Sequence, residues 1–205
     1  MRLVEVLAAL AFLVIATVAV FAIAPNAILS ASGAAPGDWT ETESGPLGPA
    51  DRDFLVKVRQ AGLWEIPTGQ QAQDRASSAR VKEVGLMLAA DHTKLDDQVR
   101  ALAAKLNVPL PSTPNADQQG WMAELSGLNG TAYDKVFADR LRAAHGKVFQ
   151  AVAVVRAGTK NSEIRAFAQV AVDVVMKHMS LLESTGKVDF AALPTPPPPS
   201  PNPSK

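Results

Sequence analysis

The chain has no cysteine, one tyrosine and three histidines, and its 20 basic residues are balanced by 20 acidic ones. Without thiols there is no disulfide framework, no thiolate nucleophile and no cysteine-ligated metal. Without an excess of positive charge, or any run of it, there is no electrostatic footprint for a nucleic acid. A glycine-rich phosphate loop and a nucleophile-elbow serine are also missing. Nothing therefore points to hydrolase or phosphate chemistry, and the chain reads as a non-enzyme. No alternation of polar and apolar residues of any length occurs either, which leaves little for a sheet.

What is present begins with an apolar run. No charged residue occurs from Val6 to Gly37, and "VLAALAFLVIATVAVFAIA" (6–24) contains only apolar residues and threonine. At ~1.5 Å per residue such a run spans roughly 28 Å, close to the ~30 Å hydrocarbon layer. Two readings stay open: an uncleaved transmembrane anchor, or a signal segment cleaved between Ala31 and Ala34. The run is longer than a usual signal core, and Pro25 follows the small-x-small match Ala22-Ile23-Ala24, which favours the anchor. Arg2 precedes the run and Asp38, Glu41 and Glu43 follow it. The positive-inside bias thus places the remainder outside the cytoplasm, tethered to the cell membrane or, after cleavage, secreted or periplasmic.

Composition divides the rest. Residues 25–49 are rich in Pro, Gly and Ser and read as a flexible spacer. Residues 191–205 include "LPTPPPPSPNPSK" and read as a disordered, proline-rich tail of polyproline II character. Between them, residues 50–190 show a 3.6-residue apolar period in four long stretches. The expected helices start near Pro49–Asp51 and end near Ala76, start after Ser77 or Ser78 and end before "NVPLPSTPN", run from Gly130 to Gly158, and run from Asn161 or Ser162 toward Gly186. A short amphipathic piece, Asp117–Leu125, sits in the middle crossover. Short links make antiparallel neighbours, so the fold class is all-α, an up-down-up-down four-helix bundle. Pro67 in "GLWEIPTG" implies either a break into two shorter helices or a kink that re-aims Glu65.

The histidines fall on the core seam. His92 is four after Leu88 and three before Leu95; His145 is four after Leu141 and three before Val148; His178 is four after Val174 and three before Leu181. Glu65 is four after Ala61 on the first helix. Counted at ~1.5 Å per residue from the linked ends, the four lie roughly 17–24 Å down their helices, one level within boundary error. Three imidazoles and a carboxylate at one level suit a divalent metal, with nitrogen donors fitting zinc, copper or iron better than calcium or magnesium. The competing reading is a metal-free hydrogen-bonded cluster, joined by Asp91 or Asp96, that fixes helix register in a structural or protein-interaction module. Met87, Met176 and Met179 read as core filling rather than copper ligands.

The segments "DRDFLVKVRQAGLWEI", "VKEVGLMLAADHTKL", "NGTAYDKVFADRLRAAHGKVFQ" and "IRAFAQVAVDVVMKHMSLL", with Asp91-His92, Tyr133-Asp134, His145 and His178 in that order, resemble the bacterial family called Domain of Unknown Function 4142. The resemblance covers about 50–187. It implies a ferritin-like four-helix bundle in an exported or membrane-anchored protein, and brings no settled activity. Pro67 departs from the family pattern. Di-iron bundles use paired Glu-x-x-His motifs, whereas the residues three before the histidines here are Ala89, Arg142 and Val175. Ferroxidase or oxygen-activating chemistry is accordingly disfavoured. The expected function is a membrane-tethered extracytoplasmic binding module, with a metal at His92, His145, His178 and Glu65 and no identified protein partner.

Overall fold

The structure is a computed structural model that describes residues 38–196. These residues form five α-helices and no strand: α1 (Pro49–Arg75), α2 (Ala79–Lys105), α3 (Ala116–Ser126), α4 (Gly130–Gly158) and α5 (Ser162–Glu183), followed by a single 3-10 turn at Phe190–Ala192. The expected apolar span at 6–24 lies outside the described residues. Among the described residues, no helix is long and apolar enough to cross a membrane.

Four of the five helices begin where a side chain satisfies an open backbone donor. The Gly48 amide donates to Asp51 Oδ2 at the head of α1 (2.8 Å). Asn115 Oδ1 accepts from the Gln118 amide at the head of α3 (3.0 Å). Asn161 Oδ1 accepts from the amides of both Glu163 and Ile164 at the head of α5. The head of α2 uses a distant residue: Asp134 on α4, buried, accepts from the Ser77 amide, the Ser77 hydroxyl and the Ser78 amide.

Neighbouring helices run in opposite directions, as residue pairings show. On α1 and α2, Gly69 meets Gly85 while Gly62 meets Asp96. On α4 and α5, Arg142 meets Glu183 while Arg156 meets Gln169. Between α2 and α5, Arg80 reaches Ser184 and Lys105 reaches Glu163. Between α1 and α4, the Tyr133 hydroxyl donates to the Thr68 carbonyl. Four long helices thus surround one interior, and α3 lies across α1 and α4, with Trp121 edge-on to Trp64 at 5.3 Å.

The interior is apolar at both ends and polar in between. One cluster gathers Phe54, Leu55, Val58, Leu95, Val99, Val152 and Phe167. The other gathers Trp64, Ala72, Val84, Leu88, Phe137, Leu141 and Leu182. On every long helix the division falls at the residues singled out above: beside Glu65, between Leu88 and Leu95 at His92, between Leu141 and Val152 at His145, and between Ala171 and Leu182 at His178.

Two expectations need correction. Helix α1 is continuous through Pro67, so there is no break into two helices. Proline removes its own donor and crowds the Leu63 carbonyl, a local cost that the packing of α1 against its neighbours outweighs. The expected flexible spacer is also ordered from residue 38 onward. Thr40 and Leu47 form an antiparallel bridge, Leu47 is buried, and Asn161 Nδ2 donates to Thr42 Oγ1 (3.0 Å) and the Gly45 carbonyl (2.9 Å). The small and turn-forming residues that suggested flexibility instead close a tight loop over the start of α5. Gly45 has φ +103°, and a Cβ there would stand 2.8 Å from the Lys160 carbonyl oxygen.

Candidate metal centre

Glu65 on α1, His92 on α2, His145 on α4 and His178 on α5 meet in the polar layer. Each offers one ligand atom, and the four atoms lie within 4.8 Å of one another. All four residues are buried, at 4%, 4%, 1% and 0% exposure. His92 Nε2 is 3.0 Å and His145 Nε2 3.4 Å from Glu65 Oε2, and His145 Nε2 is 3.1 Å from His178 Nδ1. Asp96, the other acidic neighbour considered for this cluster, is instead engaged by Arg59.

The outer atoms of the rings fix their tautomers. His145 Nδ1 is 2.8 Å from the Leu141 carbonyl oxygen. A carbonyl only accepts, so Nδ1 carries the proton and neutral His145 presents a lone pair at Nε2. His178 Nε2 is 3.1 Å from Asp91 Oδ2, and Lys177 Nζ holds the same oxygen at 2.6 Å. The Asp91 carboxyl is raised by burial but lowered further by Lys177 and His178, so the net shift is down and it accepts as a carboxylate. His178 therefore carries its proton on Nε2 and presents a lone pair at Nδ1.

The 3.1 Å contact between His145 and His178 consequently sets one lone pair against another. A second proton on either ring would turn it into a hydrogen bond, but the surroundings oppose that. Burial first, then His145 and His92, pushes His178 down to about 3. Burial also pushes His145 down, against the pull of Glu65. Glu65 itself is pushed up by burial and brought down more strongly by His145, His92 and His178, to about 2. At neutral pH the layer holds an ionised Glu65 and the lone pairs of His145 and His178.

Three buried atoms lack a partner. The 3.0 Å approach of His92 to Glu65 is not aligned as a hydrogen bond, which leaves Glu65 Oε2, His92 Nε2 and His92 Nδ1 unsatisfied. Glu65 Oε2 is thus a buried carboxylate oxygen with no hydrogen-bond donor, a position that a cation would satisfy. The separations of 3.0, 3.1 and 3.4 Å resemble the edge of a tetrahedron with bonds of ~2.0–2.1 Å, about 3.3 Å. The outer partners of His145 and His178, a backbone carbonyl and a carboxylate, are those that orient metal-bound imidazoles. The donor set fits a transition-metal cation on charge, on unsatisfied atoms and on supporting contacts.

All four predicted side chains meet. Sequence reasoning did not foresee the Asp91–Lys177 pair behind His178, although Asp91 next to His92 offered a hint: adjacent helical residues point about 100° apart, so one can face the interior and the other a neighbouring helix.

No curated protein matches the chain. Among solved structures, a DUF305 protein of Streptomyces coelicolor described as secreted matches with a TM-score of 0.55 at 13% identity, over 67% of this chain and 94% of that one. That likeness concerns the fold. The model of the family called Domain of unknown function (DUF4142) matches residues 38–184, from the ordered loop ahead of α1 to the end of α5, and therefore spans all four residues of the buried layer. The chain belongs to the DUF4142 family.

Proposed function

We propose that this protein is an extracytoplasmic, ferritin-like four-helix bundle that binds one divalent transition-metal ion through Glu65, His92, His145 and His178, in a sequestering or sensing role. The observation that carries this reading is the lone-pair contact between His145 Nε2 and His178 Nδ1 beside the unpartnered Glu65 Oε2. A cation resolves both at once. Imidazole and carboxylate donors select zinc, copper or iron over calcium or magnesium. Four protein ligands complete a tetrahedral shell, an arrangement for holding an ion rather than activating water at an open position. The residues 6–24 would tether the domain to the membrane as an anchor. The DUF305 neighbour described as secreted supports the alternative of release after signal cleavage.

The competing reading keeps the layer metal-free, with a proton shared between the rings. Isothermal titration of chelator-treated protein with zinc, copper(II) and iron(II) separates them. The metal reading expects saturation at about one ion per chain and loss of binding in Glu65→Gln and His145→Ala. No binding of any of the three ions would leave the register-fixing role.

A further inference from the structure

The four ligand groups are sealed inside the helices, so an ion needs a way in. Glu65 also lines a cavity. That cavity, of about 250 Å³, opens between α1, α3 and α4 and is bounded by Trp64, Trp121, Ala144 and Lys147. Trp121 reaches over it from α3, edge-on to Trp64. The other approach, behind His178, is closed differently: Asp91 fills it, held by Lys177 at 2.6 Å and by Lys94 at 4.0 Å.

We infer that this cavity is the passage by which the metal ion enters and leaves, with Glu65 the first ligand it meets and α3 the cover of the passage. The inference rests on the metal-binding reading and adds to it a direction of entry. One feature supports it. A carboxylate at the inner end captures a cation before the three imidazoles engage it. Lys57 at the mouth is already paired with Asp53, so the exposed Lys147 is left to oppose an arriving cation and Asp117 to attract it.

Stopped-flow uptake of cobalt(II) by the full chain, read by the visible absorption of the tetrahedral ion, tests the passage. Narrowing it with Ala144→Phe slows uptake and chelator-driven release together, about tenfold or more, and leaves the equilibrium affinity unchanged, because a gate alters both rates alike. Lys147→Glu, on an exposed side chain, speeds uptake severalfold at low salt and loses the effect at 1 M salt. Should Ala144→Phe fail to fold, Lys147→Glu decides. Wild-type uptake rates in Lys147→Glu, with altered rates in Lys94→Glu, would overturn the proposal in favour of entry past Asp91. A wild-type chain that takes up no cobalt would overturn the metal reading itself, and the passage with it.

Discussion

Asp91 shows how much of the centre depends on a residue that faces away from it. Its carboxylate fixes the His178 proton on Nε2 and so turns Nδ1 inward as a donor of electrons. Asp91→Asn removes the charge while keeping the shape, and loss of such an orienting partner typically costs 10–100-fold in metal affinity. Titration of the variant should show a fall of that size with an unchanged stoichiometry. Acidity acts on the same atoms. A histidine whose pKa falls from 6.5 to about 3 on folding binds its proton more readily in the unfolded chain. Its contribution to stability is therefore present above about 6.5 and is lost as the pH falls toward 3. Glu65, lowered from 4.5 to about 2, adds a second loss between those values. The urea midpoint of the metal-free protein should fall steadily as the pH drops below about 6.5; a midpoint that is flat or rising from pH 7 to pH 4 would contradict a neutral His178 beside an ionised Glu65.

The contact between α1 and α2 is set by glycine. A Cβ on Gly69 would stand 2.3 Å from the Gly85 carbonyl oxygen, and a Cβ on Gly85 would stand 2.7 Å from that of Gly69. Backbone lies on both sides, so the helices must separate to admit a methyl group. Gly69→Ala should cost about 1–3 kcal/mol and, since Glu65 and His92 lie one turn and two turns away on these helices, should weaken metal binding as well. Thermal melts and metal titration of the same variant check both. The head of α2 is a second such point: Asp134→Ala strands the Ser77 and Ser78 amides and should cost about 1.5–3 kcal/mol in denaturant unfolding, as charge-assisted hydrogen bonds do. Sequence periodicity located the helices because apolar side chains recur every 3.6 residues whatever their partners. It placed the four polar residues at one level for the same reason, since helical rise is fixed. It had no access to contacts between distant segments, which is why the Asp134 cap and the Lys177 partner of Asp91 were not legible, although Asp91 was one of two acids expected to join the cluster. Pro67 misled in part: the loss of one donor is a local cost, and the packing of α1 as a whole outweighs it.

For the whole molecule, the polar layer divides the core into two apolar halves that the four helices share. A cation bound there ties all four helices together and favours only the folded chain, so it should raise the melting temperature in proportion to the logarithm of its concentration. The loop from residue 38 to 48 belongs to the same unit: it buries Leu47 and pairs with Asn161 and Glu163. Composition alone concealed this, because the same Gly and Ser residues serve a flexible linker and a tight turn. A fragment beginning at residue 49 should accordingly melt below one beginning at residue 38. The measurement closest to the central claim is the metal content of the full chain, purified without chelators or affinity tags and assayed by mass spectrometry of the elements. The account predicts about one zinc, copper or iron per chain, and its absence from a folded His92→Ala, His145→Ala double variant. A wild-type chain that is free of metal, takes none up on titration and is no less stable for it would contradict the account.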